Sequence, residues 1–491
     1  MRACAIIYKL RKKTSSFFSN HSNGKQVVVA YMITDMTVGS PRRILFRFCL
    51  PMLASVAFQQ FYGMVDSIVV GKCSPDPVIA DNAVAAVGVS VPVTLVFMAI
   101  ATGANIGCSV LISQLFGAKN YRSMRTAVHT SVIAVLTASL LLTAAGLIFA
   151  RPLLELLGTP PEIMADSLAY LNIYTGSLFF LFLYNICTGV FTALGDSKTP
   201  LYFLIFSSLT NIALDLLFVL SFGWGVSGVA WATFIAQTLS AILSFFALNR
   251  RLRRFSYEGK AQIFSAAMLK KVLVFAVPSI LQQSFVAVGN LAIQSLINGY
   301  GASVIAGFSA ALKLNTFAVT CYTTVSGGVS SFTAQNIGAR RYERVPQGFR
   351  AGVFLLLLLV TPIALVFFFF APQSVGLILN ADSTDAIAAG AIFMRWVAPF
   401  YFVIALKIVI DGILRGSGAL RYFMISTFID LVIRVALSFL LTDSAGYMSI
   451  VYAWVIGWVV AAALAVLFYR LGVWKKRLPP ADEAECIQTD C

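Results

Sequence analysis

The sequence predicts an all-α integral membrane protein, in which twelve transmembrane helices form two six-helix lobes related by pseudo-two-fold symmetry. Three observations support this fold class: a low charge content, twelve apolar runs of membrane-spanning length, and an internal repeat. Of the 491 residues, 59% are hydrophobic and only 11% are charged. Because soluble domains carry about 25% charged residues, the composition fits a bilayer better than water.

The apolar runs are each close to the roughly 20 residues that cross about 30 Å of hydrocarbon as an α-helix. We number them as spans 1 to 12, at residues 44–71, 83–113, 126–149, 167–193, 200–221, 227–248, 270–298, 303–334, 349–370, 388–414, 421–442 and 446–470. Their even number puts both ends of the chain on the same side of the membrane.

Lysine and arginine residues are confined almost entirely to alternate loops. The net charge is +16, yet the loops on one side contain only Lys72, Arg151 and Arg395. Basic residues concentrate in cytoplasmic loops, so the pattern predicts a multi-pass inner-membrane protein with both termini in the cytoplasm, in contact with membrane lipid. We expect no nucleic-acid partner, because the basic residues lie in short loops without aromatic residues between them.

Motifs for enzymes and metal sites are missing or misplaced in the sequence. None of the eight cysteines forms a C-x-x-C pair and only two histidines occur, so we expect neither a disulfide framework nor a zinc site. The G-x-G-x-x-G match at residues 223–228 follows an apolar run rather than a strand, which argues against a dinucleotide site. We therefore expect no enzyme activity, no cofactor, and no metal beyond a possible Na⁺; the coupling ion would be H⁺ or Na⁺.

An internal repeat divides the chain into two halves. An eight-residue motif that starts at Gln114 recurs at Gln335, 221 residues later, and the same offset relates Gly195 to Gly416. Because six spans lie in each half, the halves cross the membrane in the same direction, as in parallel repeats that enclose a central cavity. The predicted organisation is a cytoplasmic tail, a first lobe, a cytoplasmic linker, a second lobe and a second tail, at residues 1–40, 41–250, 251–269, 270–472 and 473–491.

Four polar residues of the first half are predicted to form a cation site. Ionisable residues inside a membrane are costly and usually functional, and the candidates are Asp66 in span 1 and Asp215 in span 5. Asn211 lies one turn from Asp215 on the same helix face, and Thr233 lies in span 6. From the span ends at 1.5 Å per residue, Asp66, Asp215 and Thr233 lie roughly 8–9 Å below the outer surface. These oxygen atoms could bind Na⁺, or the two carboxylates could share a proton; the alternative is four unrelated polar residues, each satisfied by its helix neighbours.

Two i,i+4 pairs of opposite charge mark the second half. They are Lys407 with Asp411 in span 10 and Asp430 with Arg434 in span 11, where Asp430 takes the position of Asn211. Structural ion pairs that hold helices in register are one interpretation, and a charged cavity is the other.

A substrate cavity is the second predicted site. Polar side chains of span 7 share one face and could line a substrate route or join helices. The candidate residues are Gln283, Asn290, Gln294, Lys313 and Asp411.

These features resemble the multidrug and toxic compound extrusion (MATE) transporters of prokaryotes over residues 40–472. The likeness rests on Pro51 with Asp66 in span 1, on the motif at residues 114–118, and on the stretches 195–200 and 414–418 that follow spans 4 and 10. The resemblance implies twelve helices in two lobes, and export of bulky, often cationic drugs in exchange for Na⁺ or H⁺.

The resemblance also implies roles for particular residues. In one prokaryotic branch the cation site uses an Asp of helix 1, an Asn and an Asp one turn apart in helix 5, and a Thr of helix 6. These match Asp66, Asn211, Asp215 and Thr233. Other relatives have a carboxylate in helix 7, where this chain has glutamines at positions 282 and 283, so the resemblance implies no cation site in the second lobe.

The sequence therefore predicts a monomeric, cation-coupled antiporter that exports drug-like or toxic organic compounds, mainly cationic ones, by alternating access. A flippase for lipid-linked saccharides from the same superfamily is the first alternative, since Lys313, Lys407 and Arg434 could form a cationic cavity. A non-transporting membrane protein is the second. It would need a catalytic cluster or a large soluble domain, and the sequence shows neither.

Overall fold

The computed structural model describes the backbone of residues 34–72, 77–379 and 383–475, and the side chains of these residues except 61–84 and 220. The first six membrane helices, α1 to α6, are Pro41–Lys72, Pro77–Gly117, Tyr121–Leu156, a two-part α4 of Pro161–Gly176 and Leu178–Ala193, Lys198–Asp215, and Gly225–Leu252. A π-helical turn, Leu216–Ser221, continues α5.

The second six, α7 to α12, are Ala266–Ile297, Ala302–Gly338, Arg344–Phe369, a two-part α10 of Thr384–Val397 and Tyr401–Gly416, Leu420–Leu440, and Met448–Arg470. Short helical segments connect them at Asn298–Tyr300, Ala371–Gly376, Ala398–Phe400 and Thr442–Ala445.

The helices have the length and composition of membrane spans. Within the described ranges, ten are long and apolar enough to cross a bilayer, or eleven if the two parts of α4, bent by 44°, form one span. The 32-residue α1 is also of membrane-spanning length. The predicted fold class, twelve helices in two lobes, is confirmed.

The structure reproduces the internal repeat. Lys119 and Arg340 are the two non-glycine residues with positive φ in the described part of the chain; both have φ of 57°, and they lie 221 residues apart. Helices α4 and α10 are interrupted at Ser177 and Ala398, which also lie 221 residues apart.

The register of the repeat changes after the breaks in α4 and α10. Gly195 and Gly418, with φ of 77° and 80°, each lie two residues beyond the end of a helix and adopt the left-handed conformation that ends many helices. Gly418 is thus the counterpart of Gly195, so pairing Gly195 with Gly416 by a constant offset was wrong. The first residues of α6 and α12 keep the offset of 223. At that offset Asn211 corresponds to Arg434 rather than to Asp430.

Each half of the molecule packs the beginning of its first helix into the core of the other half. Leu45 and Phe48 of α1 belong to the hydrophobic cluster of the second lobe, whereas Val272 and Ala276 of α7 belong to that of the first. Accordingly, α1 packs against α5, α8 and α9, and α7 packs against α11, α2 and α3. The two lobes therefore interlock through α1 and α7.

Candidate cation site and lobe interface

The predicted cation-site residues of α5 and α6 are buried and in contact. Asn211 is 2% exposed and Asp215 is 0% exposed. The Asn211 Nδ2 donates a hydrogen bond of 3.3 Å to Thr233 Oγ1 across the α5–α6 interface. The Thr233 side chain therefore contacts Asn211, which lies one turn from Asp215 on the same helix.

The backbone changes immediately after Asp215. This residue ends the α-helical part of α5, and the next six residues form a π-helical turn. Such turns are rare and frequently occur at functional sites. Nothing in the sequence indicated this turn, because five of its six residues are ordinary apolar ones and the sixth is Ser221.

Asp66 lies in α1, but its side chain is outside the described residues. Helix α1 packs against α5 and also contacts α6. The participation of Asp66 in the cation site stays a prediction.

The chemistry of the described donors fits a hard cation. A carboxylate, an amide carbonyl and a hydroxyl supply oxygen ligands, which suit Na⁺, and a buried carboxylate can alternatively take up a proton. Asn211, Asp215 and Thr233 therefore offer donor types that suit either ion.

The second lobe forms both predicted ion pairs. The Lys407 Nζ lies 2.7 Å from Asp411 Oδ2 and also donates to Thr427 Oγ1 at 3.0 Å. The Arg434 Nη2 lies 3.9 Å from Asp430 Oδ2. The Arg434 guanidinium also stacks on Trp454, with its carbon 4.5 Å from the ring centre. Because these four charged groups are buried and neutralise one another locally, the structural interpretation of the pairs is favoured.

The residues predicted to line a substrate cavity do not share one environment. Lys313 and Asn290 are exposed, and Gln283 and Gln294 are partly exposed. Asp411 is only 5% exposed and is engaged with Lys407 inside the lobe. The structure therefore separates Asp411 from the rest of this set.

A cavity next to Gln283 lies between α7 and α11. Its volume is about 240 Å³, and Gln282, rather than Gln283, is one of its lining residues. The remaining lining is mainly apolar, with Phe285 and Phe428 forming an edge-to-face pair at 5.5 Å between ring centres.

Two repeated glutamines connect the lobes, a role that the sequence motif did not reveal. Gln114 of α2 donates from Nε2 to the carbonyl oxygen of Gly416 at 3.0 Å, and Gln335 of α8 donates in the same way to Ala193 at 2.9 Å. Each accepting carbonyl is the last of a helix in the opposite lobe. The lobes therefore meet on the side that the basic loops predict to be cytoplasmic.

The motif that follows α4 contains a buried ion pair that sequence reasoning also missed. Asp196 accepts from Thr199 N at 3.1 Å and Thr199 Oγ1 at 2.7 Å, which caps the start of α5. Its second oxygen also accepts from Arg251 of α6 at 2.5 Å. The only sequence signal was an acid next to the helix-ending glycine.

The fold and the lobe interface define a two-lobe, multi-pass membrane transporter, and comparisons with known proteins agree. The family model MatE matches residues 51–217 and 278–440, and the chain belongs to this family of transporters, which are not enzymes. It is 29% identical over 443 residues to the probable multidrug resistance protein YpnP of Bacillus subtilis, covering 90% of this chain and 97% of the relative. It is 24% identical over 449 residues to the probable multidrug resistance protein NorM of Thermotoga maritima, covering 89% and 94% of the two chains.

Solved structures share the fold at low sequence identity. The crystal structure of MATE in complex with MaL6 superposes with a TM-score of 0.83 at 21% identity, covering 90% of this chain and 99% of the other. The outward-facing conformation of a multidrug resistance MATE family transporter superposes with a TM-score of 0.81 at 22% identity, covering 89% and 97%. The predicted family resemblance is confirmed.

Proposed function

We propose that the protein exports drug-like or toxic organic compounds, mainly organic cations, across the inner membrane in exchange for H⁺ or Na⁺. The observation that carries this proposal is the buried oxygen cluster of the first lobe, in which Asn211 bonds to Thr233 one turn from Asp215. Relatives named as multidrug resistance proteins support the substrate class. In this proposal the protein works as a monomer with both termini in the cytoplasm.

Coupling requires that the cation and the substrate prefer different conformations of the same protein. The cation would bind between Asp66 on α1 and Asp215 on α5, with Asn211 and Thr233 as neutral ligands. Because α1 also packs into the second lobe, a change in its position relative to α5 is transmitted to the lobe interface. Cation binding would then lower the affinity for substrate, and substrate binding would lower the affinity for the cation by the same factor.

The flippase alternative loses much of its basis. It relied on a cationic cavity that contained Lys407 and Arg434, but these side chains are buried and paired with Asp411 and Asp430. Only Lys313 of that set is exposed.

The proposal is tested by dye accumulation in everted membrane vesicles. We expect Asp66→Asn and Asp215→Asn, expressed at normal levels, to abolish accumulation of an ethidium-like dye. Asp385→Asn serves as the control, because Asp385 is an exposed acid in the first turn of α10. Accumulation equal to wild type in both site variants would refute the proposed coupling site.

A further inference from the structure

The segment that precedes α1 lies across the lobe interface. We call residues 34–39 the lead segment. Its centre is deeply buried, since Met36 is 0% and Thr37 is 6% exposed. The next residue, Val38, is 58% exposed. Met36 packs in the hydrophobic cluster of the second lobe, although the lead segment is covalently part of the first.

The lead segment is bonded to the first lobe at its beginning. The backbone N–H of Thr34 donates to the carbonyl oxygen of Gly195 at 3.1 Å. Gly195 adopts φ of 77°, and a Cβ at this position would overlap the carbonyl of Thr34. A glycine is therefore required both by the turn after α4 and by the close approach of the lead segment.

The lead segment is bonded to the second lobe along the rest of its length. The Met36 N–H donates to Gln335 Oε1 at 3.1 Å, and the Met36 carbonyl accepts from Asn336 Nδ2 at 3.1 Å. Both groups belong to the end of α8, where Gln335 simultaneously donates to Ala193 of the first lobe. The side chain of Gln335 thus joins the lead segment, α8 and α4 at a single point.

Two arginines complete the attachment, Arg341 in the turn between α8 and α9 and Arg344 at the start of α9. Arg341 donates to the Thr37 carbonyl at 2.7 Å, and Arg344 donates to the Gly39 carbonyl at 2.8 Å. Arg344 also donates from Nε to Asn336 Oδ1 at 2.9 Å, which orients the amide that binds Met36. Hydrogen bonds from charged donors are about twice as strong as neutral ones.

The segment before α7 is the counterpart of the lead segment in the second half. Residues Gln262 and Ser265 of the interlobe linker donate their N–H groups to Thr126 and Thr130 of α3, each at 3.2 Å. Each half therefore lays the segment before its first helix on the other half. The linker, however, is covalently continuous with both lobes, whereas the lead segment reaches the second lobe through noncovalent contacts alone and can detach.

We propose that the lead segment is a latch that holds the lobes together on the cytoplasmic side, and that it must leave its site on α8 and α9 before the transporter can open to the cytoplasm. This inference rests on the alternating access proposed above. The Thr34–Gly195 bond and the Met36–Gln335 bond can both be present only when the end of α8 lies next to the end of α4. The latch therefore stabilises the conformation in which the cytoplasmic side is closed.

The test is the distance between spin labels at Lys198→Cys and Arg421→Cys, in full-length protein without its native cysteines, reconstituted in nanodiscs. Both positions are exposed, at the beginnings of α5 and α11 in opposite lobes. Met36→Asp places a charge in a fully buried site. We expect it to raise the ratio of molecules with separated lobes to molecules with closed lobes at least roughly tenfold. Val38→Asp is the matched control and should leave the ratio unchanged.

A second variant tests the latch if Met36→Asp does not fold. The double variant Arg341→Ala and Arg344→Ala removes the guanidinium bonds to the lead segment without placing a charge in a buried apolar site, and it should shift the ratio in the same direction. Arg340→Ala with Arg350→Ala is its control, since both side chains are exposed. An unchanged ratio in the test variants, or an equal shift in the controls, overturns the latch.

The distance measurement needs neither substrate nor coupling ion. If the ratio shifts as expected while the wild-type protein exports no dye, the latch stands and the proposed function fails. If wild type exports dye and the ratio does not respond to the latch variants, the proposed function stands and the latch fails.

Discussion

Gln335 donates from Nε2 to the carbonyl oxygen of Ala193 at 2.9 Å, and so joins the end of α8 in one lobe to the end of α4 in the other. The repeat supplies a second copy of this bond from Gln114 to Gly416 at 3.0 Å. The last carbonyls of a helix have no partner within the helix. Each lobe therefore caps a helix of the other, and this reciprocal capping closes the predicted cytoplasmic side.

The two glutamines should contribute unequally to this closure. Gln335 also accepts from Met36, so Gln335→Leu loses two hydrogen bonds and leaves the buried Met36 N–H unsatisfied, while the Ala193 carbonyl keeps its bond from Ser113. Gln114→Leu loses one hydrogen bond. We expect a maleimide to label Ser417→Cys, a position 3% exposed at the interface, faster in both variants, by roughly tenfold for Gln335→Leu and about threefold for Gln114→Leu. Equal labelling rates in the two variants would contradict this assignment.

Two glycines make the close approach of α2 and α8 possible. A Cβ on Gly117 would overlap the backbone of Gln335, and a Cβ on Gly338 would overlap the backbone of Gln114. Backbone atoms cannot move aside as a flexible side chain can, so Gly117→Ala and Gly338→Ala should prevent cytoplasmic closure and lower dye export at least roughly tenfold. Gly327→Ala is the control, since its Cβ would lie 3.8 Å from the end of Met52. Normal export by both test variants would show that the interface is not required.

The repeat motif was readable from the sequence, but its role was not. Hydropathy, basic loops and the motif at Gln114 and Gln335 predict the helices, their grouping and their order, because a bilayer imposes one period and one length on every span. The use of a glutamine to cap a helix of the opposite lobe depends on contacts between residues far apart in the sequence. Gln335 and Ala193, for example, are separated by 142 residues. Such contacts leave no local pattern.

The candidate site was predicted only in part, because local spacing can be read from the sequence whereas packing between helices cannot. The i,i+4 spacing of Asn211 and Asp215 is a property of one helix and could be read directly. The depth of Thr233 relative to them depends on how α6 packs on α5, and the structure pairs it with Asn211. The shift in register arises at the breaks, since Ser177 alone interrupts α4 whereas three residues, Ala398–Phe400, interrupt α10. A constant offset cannot detect these two added residues.

Thr233 offers a direct test of the neutral ligands. Thr233→Val keeps the shape of the side chain but removes the hydroxyl that accepts from Asn211. We expect the cation concentration that gives half-maximal dye export to rise roughly tenfold, because one ligand and one buried hydrogen bond are lost. Thr233→Ser keeps the hydroxyl and should remain close to wild type. A similar change in both variants would point to packing rather than ligation.

The Lys407–Asp411 pair can be assigned to structure or to transport by a double-mutant cycle. Lys407→Met or Asp411→Leu alone leaves a buried charge without its partner and should lower the free energy of unfolding by about 3–5 kcal/mol. The double variant should recover most of this loss, as measured by thermal unfolding in detergent. A stable double variant that no longer exports dye would show that the pair is functional.

The Asp196–Arg251 pair should matter for stability more than its neighbours do. Arg251 is 8% exposed and Asp196 is 0% exposed, so Arg251→Met leaves a buried carboxylate with only its bonds from Thr199. We expect a loss of about 3 kcal/mol in the free energy of unfolding. Arg250→Met, at an exposed position on the same helix, should change it by less than about 0.5 kcal/mol. Equal effects of the two substitutions would refute a specific role for the buried pair.

Coupling of export to a cation through the first lobe is most directly tested by dye efflux from proteoliposomes under a Na⁺ gradient or a pH gradient, imposed separately. We expect one of the two gradients to drive efflux by the wild-type protein, and we expect that response to disappear in Asp215→Asn. Efflux that ignores both gradients, or that continues unchanged in Asp215→Asn, would contradict a coupling site at Asn211, Asp215 and Thr233.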